Sequence, residues 1–140
     1  MSFDIFSLIT DRTAGDVSAK NARGRYQAED LNRVGEAVEY LRGLLEDAGH
    51  NVSVFPKTDW TEQDWMNAAQ ASRFLADVEE LRSKLAARST TPQTPESLEQ
   101  LTYTTANHIE QILLNVHTQY LIMLTTRVAA GPATSGGDYL

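Results

Sequence analysis

Tyr26-Gln27-Ala28-Glu29-Asp30-Leu31-Asn32-Arg33-Val34-Gly35-Glu36-Ala37-Val38-Glu39-Tyr40-Leu41 reads as the front half of an amphipathic helix. Leu31, Val34, Val38, Leu41 and Leu45 step by three and four, so they form one stripe, widened by Ala37 and Leu44. Glu29 and Arg33 stand at i,i+4 on another face and are expected to pair there. Asn32 and Arg33 either pin a loop or neighbouring chain by hydrogen bonds or form a surface pair beside the helix start. The helix is predicted over 28–48, with Gly49 placed to stop it as a left-handed residue.

A chain of 140 residues is about one domain. Twelve basic against 19 acidic residues leave a net charge of −7, which repels phosphate backbones and anionic lipid. Neither nucleic acid nor membrane is therefore an expected partner. Cysteine is absent, so disulfides, thiolate metal sites and a cysteine nucleophile are excluded. The apolar start Met1–Ile9 lacks a basic leader and carries Asp4, so a secretory signal is not expected.

Either side of the first long helix the pattern changes. Phe3, Ile5, Phe6, Leu8 and Ile9 form an extended arm over 1–10, whose apolar side chains need cover from this chain or a neighbour. Thr13 and Asp16 resemble a capping box for a short helix over 14–22, ending near Gly24. Val52 and Val54 alternate with Ser53 before Pro56, which predicts a short extended segment needing a partner, with the arm as a candidate. Thr61 and Asp64 then read as N-cap and N3 of a second long helix, with Trp60 and Trp65 as its hydrophobic staple and Asp59 and Glu62 near its positive end. Ala68, Ala71, Leu75, Val78, Leu81 and Leu85 give its stripe, with Phe74 at the edge, and 89–95 breaks it. A third long helix is predicted from 102–105 to about 128. Ile109, Ile112, Leu113, Val116, Tyr120, Met123, Leu124 and Val128 line one side, while Leu114, Leu121 and Ile122 add further apolar faces. Leu41, Val78 and Ile112 are core candidates on these registers.

Chemistry-bearing patterns are lacking. His108 and His117 are nine apart and cannot share a helical metal face, and His50 stands alone, so each reads as structural or surface. Asp77, Glu79 and Glu80 beside Arg82 and Lys84 read as a solvated, ion-paired helix face, with a divalent-ion site as the alternative. No GxSxG, GxxxxGK[ST] or GxGxxG occurs. Tyr26 and Tyr40 suit the edges of packing faces.

Five blocks resemble, in order, a group of small proteins encoded among the structural genes of phages and prophages of Gram-positive gut bacteria. They are Leu8-Ile9-Thr10-Asp11-Arg12-Thr13 with Asp16-Val17; Tyr26 to Leu41; Pro56-Lys57-Thr58-Asp59-Trp60-Thr61; Phe74-Leu75-Ala76-Asp77-Val78 with Leu81-Arg82; and Leu101-Thr102-Tyr103, Ala106-Asn107 and Ile109 to Leu114. The chain departs from the group in its shorter stretch Ser18–Arg25 and in His108, where an Asp is common. The resemblance implies a virion-associated structural protein, of the tail or baseplate region, and carries no active site across.

The expectation is an all-α, three-helix bundle over 11–129 with a short N-terminal helix. The 1–10 arm precedes it and a tail over 130–140 follows. Functionally the chain is expected to be a non-enzymatic virion protein, made in the host cytoplasm, without cofactor or metal. It would assemble with itself and with other phage structural proteins. Phe3, Ile5, Phe6, Leu8, Ile9, Tyr139 and Leu140 are the expected assembly contacts, the arm being a connector that the bundle can fold without. The alternative is a small acidic intracellular regulator that binds a host protein.

Overall fold

The computed structural model describes residues 3–19, 27–85, 91–98 and 102–130, with side chains of 19 and 126–130 left aside. Four α-helices occur there: α1 (Ala14–Ala19), α2 (Ala28–Asp47), α3 (Ala68–Lys84) and α4 (Tyr103–Ala130). The three long ones pack against one another in every pairing, giving the expected all-α bundle. Val34, Val38, Leu41 and Leu45 of α2 meet Leu75, Val78 and Leu81 of α3 and Ile109, Ile112, Leu113 and Val116 of α4 in one core. Leu41, Val78 and Ile112 are fully buried. Val128 lies outside the described side chains, and Tyr26, Gly24 and residues 131–140 lie outside the described residues.

Local signals account for most helix ends. The Thr13 and Asp16 box is present in both directions, at 3.0 and 3.1 Å. At the end of α2 the His50 amide donates to Leu45 O and the Gly49 amide to Glu46 O, with Gly49 at φ +99°. This paired closure satisfies carbonyls that the helix itself leaves open, and the positive φ favours glycine. Thr102 Oγ1 accepts the Thr105 amide at 3.1 Å where α4 begins.

The start of α3 differs from expectation. The Thr61 amide donates to Asp64 Oδ2 at 2.8 Å and the Asp64 amide to Thr61 O at 3.0 Å, but they close a single turn. The helix begins seven residues after Thr61, behind a second box between Asn67 and Gln70, at 2.8 and 3.0 Å. A helix begun at 62 would present no stripe residue before Ala68, so its first turns would gain little from packing. The two tryptophans form no staple: Trp60 is buried, and Trp65 is 90% exposed. Asp59 and Glu62 accordingly flank this loop and not a helix end.

The segment 51–56 has no regular secondary structure; Val52 and Val54 are buried while Ser53 and Phe55 are exposed, and no strand pairs with it among the described residues. Carboxylates of α3 take its amides instead: Glu80 Oε2 accepts from Ser53 at 3.0 Å and Asp77 Oδ1 from Phe55 at 3.1 Å. Glu79 accepts the Thr94 hydroxyl at 2.7 Å, and Arg82 donates to Pro92 O at 2.8 Å. The acidic cluster of α3 thus supports two flanking segments; Glu79 is exposed and Glu80 pairs with Lys84 at 3.1 Å, as an ion-paired face would have them, while Asp77 is buried. Burial pushes the Asp77 carboxyl up, against the Phe55 amide and Arg73. The Ser53 amide and then Lys84 hold Glu80 below its ordinary value.

The N-terminal arm takes much of its cover from this chain. A single 3₁₀ turn at Ile5–Ser7 interrupts it, closed by Asp4 Oδ1 accepting the Phe6 amide at 3.0 Å. Ile5 and Leu8 are buried in the bundle's own core, and the Phe3 ring lies 6.0 Å from that of Tyr40. Two of the expected intersubunit contacts are therefore internal packing in this fold. Phe6 remains exposed.

Candidate functional site

A buried ionic cluster joins the N-terminal segment to α2 and α4. Arg12 Nη2 reaches Glu110 Oε2 at 2.7 Å and Asp30 Oδ1 at 3.4 Å. Arg33 reaches the same two carboxylates, Nη2 to Asp30 Oδ1 at 2.6 Å and Nε to Glu110 Oε1 at 2.9 Å. Two cations thus face two anions, the arrangement that makes burying charge tolerable. Backbone groups complete it: the Ile9 amide donates to Glu110 Oε1 at 2.8 Å, and the Gln27 amide to Asp30 Oδ2 at 2.7 Å. Arg12 Nη1 donates to Ile9 O at 3.0 Å. Asn107 accepts the Arg12 amide and donates to Arg12 O, both at 3.0 Å. Burial disfavours the Arg33 charge, but Glu110 and then Asp30 outweigh it and hold its pKa above the ordinary value. The Glu110 side chain is 0% exposed, and those of Arg12, Asp30 and Arg33 are 2%, 7% and 13% exposed. The cluster fixes the direction of the chain between the 3₁₀ turn and α1.

Arg33 accordingly pairs with Asp30 and Glu110, not with the expected Glu29. Asn32 resolves the other alternative in favour of pinning a loop. Its Nδ2 donates to Trp60 O at 2.9 Å and its Oδ1 accepts the Trp60 amide at 2.7 Å. This draws the segment across α2 at Gly35, where an added Cβ would stand 2.4 Å from Lys57 O. Only glycine admits that approach.

Beside this crossing a cleft of about 290 Å³ opens between α2, α3 and the segment Phe55–Trp60. Val34, Val38, Pro56 and Phe74 supply apolar wall, and Asp77 lies at its lining. Arg73 sits over the Phe55 ring at 4.8 Å, and Lys57, paired with Asp59 at 2.7 Å, over the Trp60 ring at 5.0 Å, so two cations border a mostly apolar opening. Neither cleft nor ionic cluster was anticipated as a site. Glu110 had a signal, since it interrupts the buried row Ala106, Leu113 and His117 at helical spacing. The cleft had none, because its walls come from three separate segments.

No family model, no curated protein and no solved structure matches this chain.

Of the expected assembly residues, Phe3 and Ile9 are half-buried, Ile5 and Leu8 buried and Phe6 exposed, while Tyr139 and Leu140 lie outside the described residues. Among the described residues no group of three or more His, Asp or Glu is placed to hold a metal ion, and no helix is long and apolar enough to cross a membrane.

His117 is buried under the arm, its ring 5.9 Å from Phe6 and 6.2 Å from Tyr40. Burial lowers its pKa from 6.5. The unfolded chain therefore takes up a proton that the folded chain resists, and stability declines as pH falls through 6.5. Thermal melting between about pH 7.5 and 5.5 should show a falling midpoint, reduced in His117→Phe. An equal fall in both proteins would place the titration elsewhere.

Proposed function

We propose that this chain is a non-enzymatic structural component of a phage particle, of the tail or baseplate region, working through protein–protein contacts. The five-block resemblance motivates the reading. The observation that carries it is where the polar residues of those blocks go. Arg12, Asp30, Arg33, Asn107 and Glu110 bind one another, while Asn32 and Asp77 hold the backbone of 55–60. Among the described residues a few large apolar side chains also face outward: Phe6, Phe55, Trp65, Leu121 and Ile122. Polar residues of the blocks that are spent on the chain's own architecture, together with exposed large apolar side chains, suit a subunit that works through protein contacts. The net charge of −7 suits a chain kept soluble before assembly in the host cytoplasm.

Quantitative mass spectrometry of purified particles tests this. The chain should be present at many copies per particle, in constant ratio to other tail-region proteins. Its absence from particles, with expression early in infection, would contradict the proposal and favour the regulator.

A further inference from the structure

We propose that the cleft between α2, α3 and the segment Phe55–Trp60 receives Trp65 of a second copy of this chain, in a reciprocal two-fold dimer. The inference gives the self-association within the particle reading a surface and a partner. It is tested on the purified chain, so its failure leaves the particle assignment to be judged by mass spectrometry.

Trp65 is the most exposed large apolar residue described, at 90%, and its side chain makes no ring contact or hydrogen bond among the described residues. An indole left in water is costly, and tryptophan is among the residues enriched at the strong contacts between proteins. The cleft offers about 290 Å³ with mostly apolar walls, room for one such ring. Charge agrees with this pairing. Exposed Glu62 and Asp64 precede the knob in sequence, while Arg73 borders the hole and the other bordering cation, Lys57, is already paired with Asp59 at 2.7 Å. The Arg73 head is half-exposed and only loosely paired with Asp77, at 3.8 Å, so it can meet a partner's carboxylate. Knob and hole also adjoin: Trp65 stands between Trp60 and Asn67, both lining the cleft. A self-complementary face of this kind closes under a two-fold axis, each copy supplying one knob and one hole.

Sedimentation equilibrium of the full chain should show a reversible monomer–dimer equilibrium, with tryptophan emission moving to the blue as concentration rises. Trp65→Ala removes the knob. Ala69→Phe fills the hole from an exposed position on α3. Each should weaken the dimer about a hundredfold while helical signal and melting temperature are retained. An equimolar mixture of the two variants should recover association. In the mixture the Ala69→Phe copy brings a tryptophan and the Trp65→Ala copy an open cleft. A wild-type chain that stays monomeric overturns the proposal, as does a dimer indifferent to both substitutions. A mixture no better than its components points to Trp65 folding into its own cleft and also overturns it. Open-ended growth with concentration would do the same, since it requires a head-to-tail contact.

Discussion

Glu110→Ala is expected to destabilise the protein by on the order of 3–5 kcal/mol, a large share of the roughly 5–15 kcal/mol that holds a typical domain together. The reason is the charge left behind. Glu110 accepts from Arg12, from Arg33 and from the Ile9 amide, and its side chain has no exposed surface. Without it, the buried Arg12 and the partly buried Arg33 share one carboxylate, Asp30, and the Ile9 amide loses its acceptor. Glu110→Gln should fall between the two, because it keeps an acceptor oxygen but not the charge. Urea denaturation followed by circular dichroism measures both. A loss below about 1 kcal/mol for Glu110→Ala would mean that the cluster is solvated in solution.

Deleting residues 1–9 should cost roughly 3–6 kcal/mol, from two buried aliphatic side chains at about 1.5–3 kcal/mol each. Ile5 and Leu8 are those side chains, and the Ile9 amide is lost with them. The same urea titration reads this effect. A truncated chain of wild-type stability would restore the view of the arm as a connector that the bundle can do without.

Where the sequence was legible, the determinants were local. The α2 stripe, Gly49 and the Thr13 and Asp16 box each lie within a few residues of the structure they specify. So do Val52 and Val54, whose alternation marked a segment with one side buried. What holds that segment was not legible, because Asp77 and Glu80 lie 22 and 27 residues away from the amides they accept. The start of α3 failed for a related reason. Thr61 with Asp64 and Asn67 with Gln70 are equally good capping signals, and both form their hydrogen bonds. Only the second opens onto the Leu75, Val78 and Leu81 stripe, and the tie from Asn32 to Trp60 spans 28 residues.

The ionic cluster was hidden most deeply. Arg12 and Glu110 are 98 residues apart, and Arg33 and Glu110 are 77 apart. A charge in a local window reads as surface, since charged side chains are seldom fully buried unless paired. Glu110 within an apolar helix was the one visible exception. The fold also gives a physical meaning to words that carried the resemblance. Asp30-Leu31-Asn32-Arg33 supplies two members of the cluster and the loop anchor, and Asn107 and Glu110 supply its other wall.

The central claim is that the chain's buried charges serve its architecture, binding the N-terminal segment into the same cooperative unit as the bundle. Native-state hydrogen exchange at the amides of Ile9 and Arg12, which donate to Glu110 and Asn107, tests it most directly. Both should be protected to the same free energy as the core amides of Leu41 and Ile112, exchanging only when the whole domain opens. Exchange of Ile9 and Arg12 at the rate of an exposed loop, with Leu41 and Ile112 still protected, would contradict it.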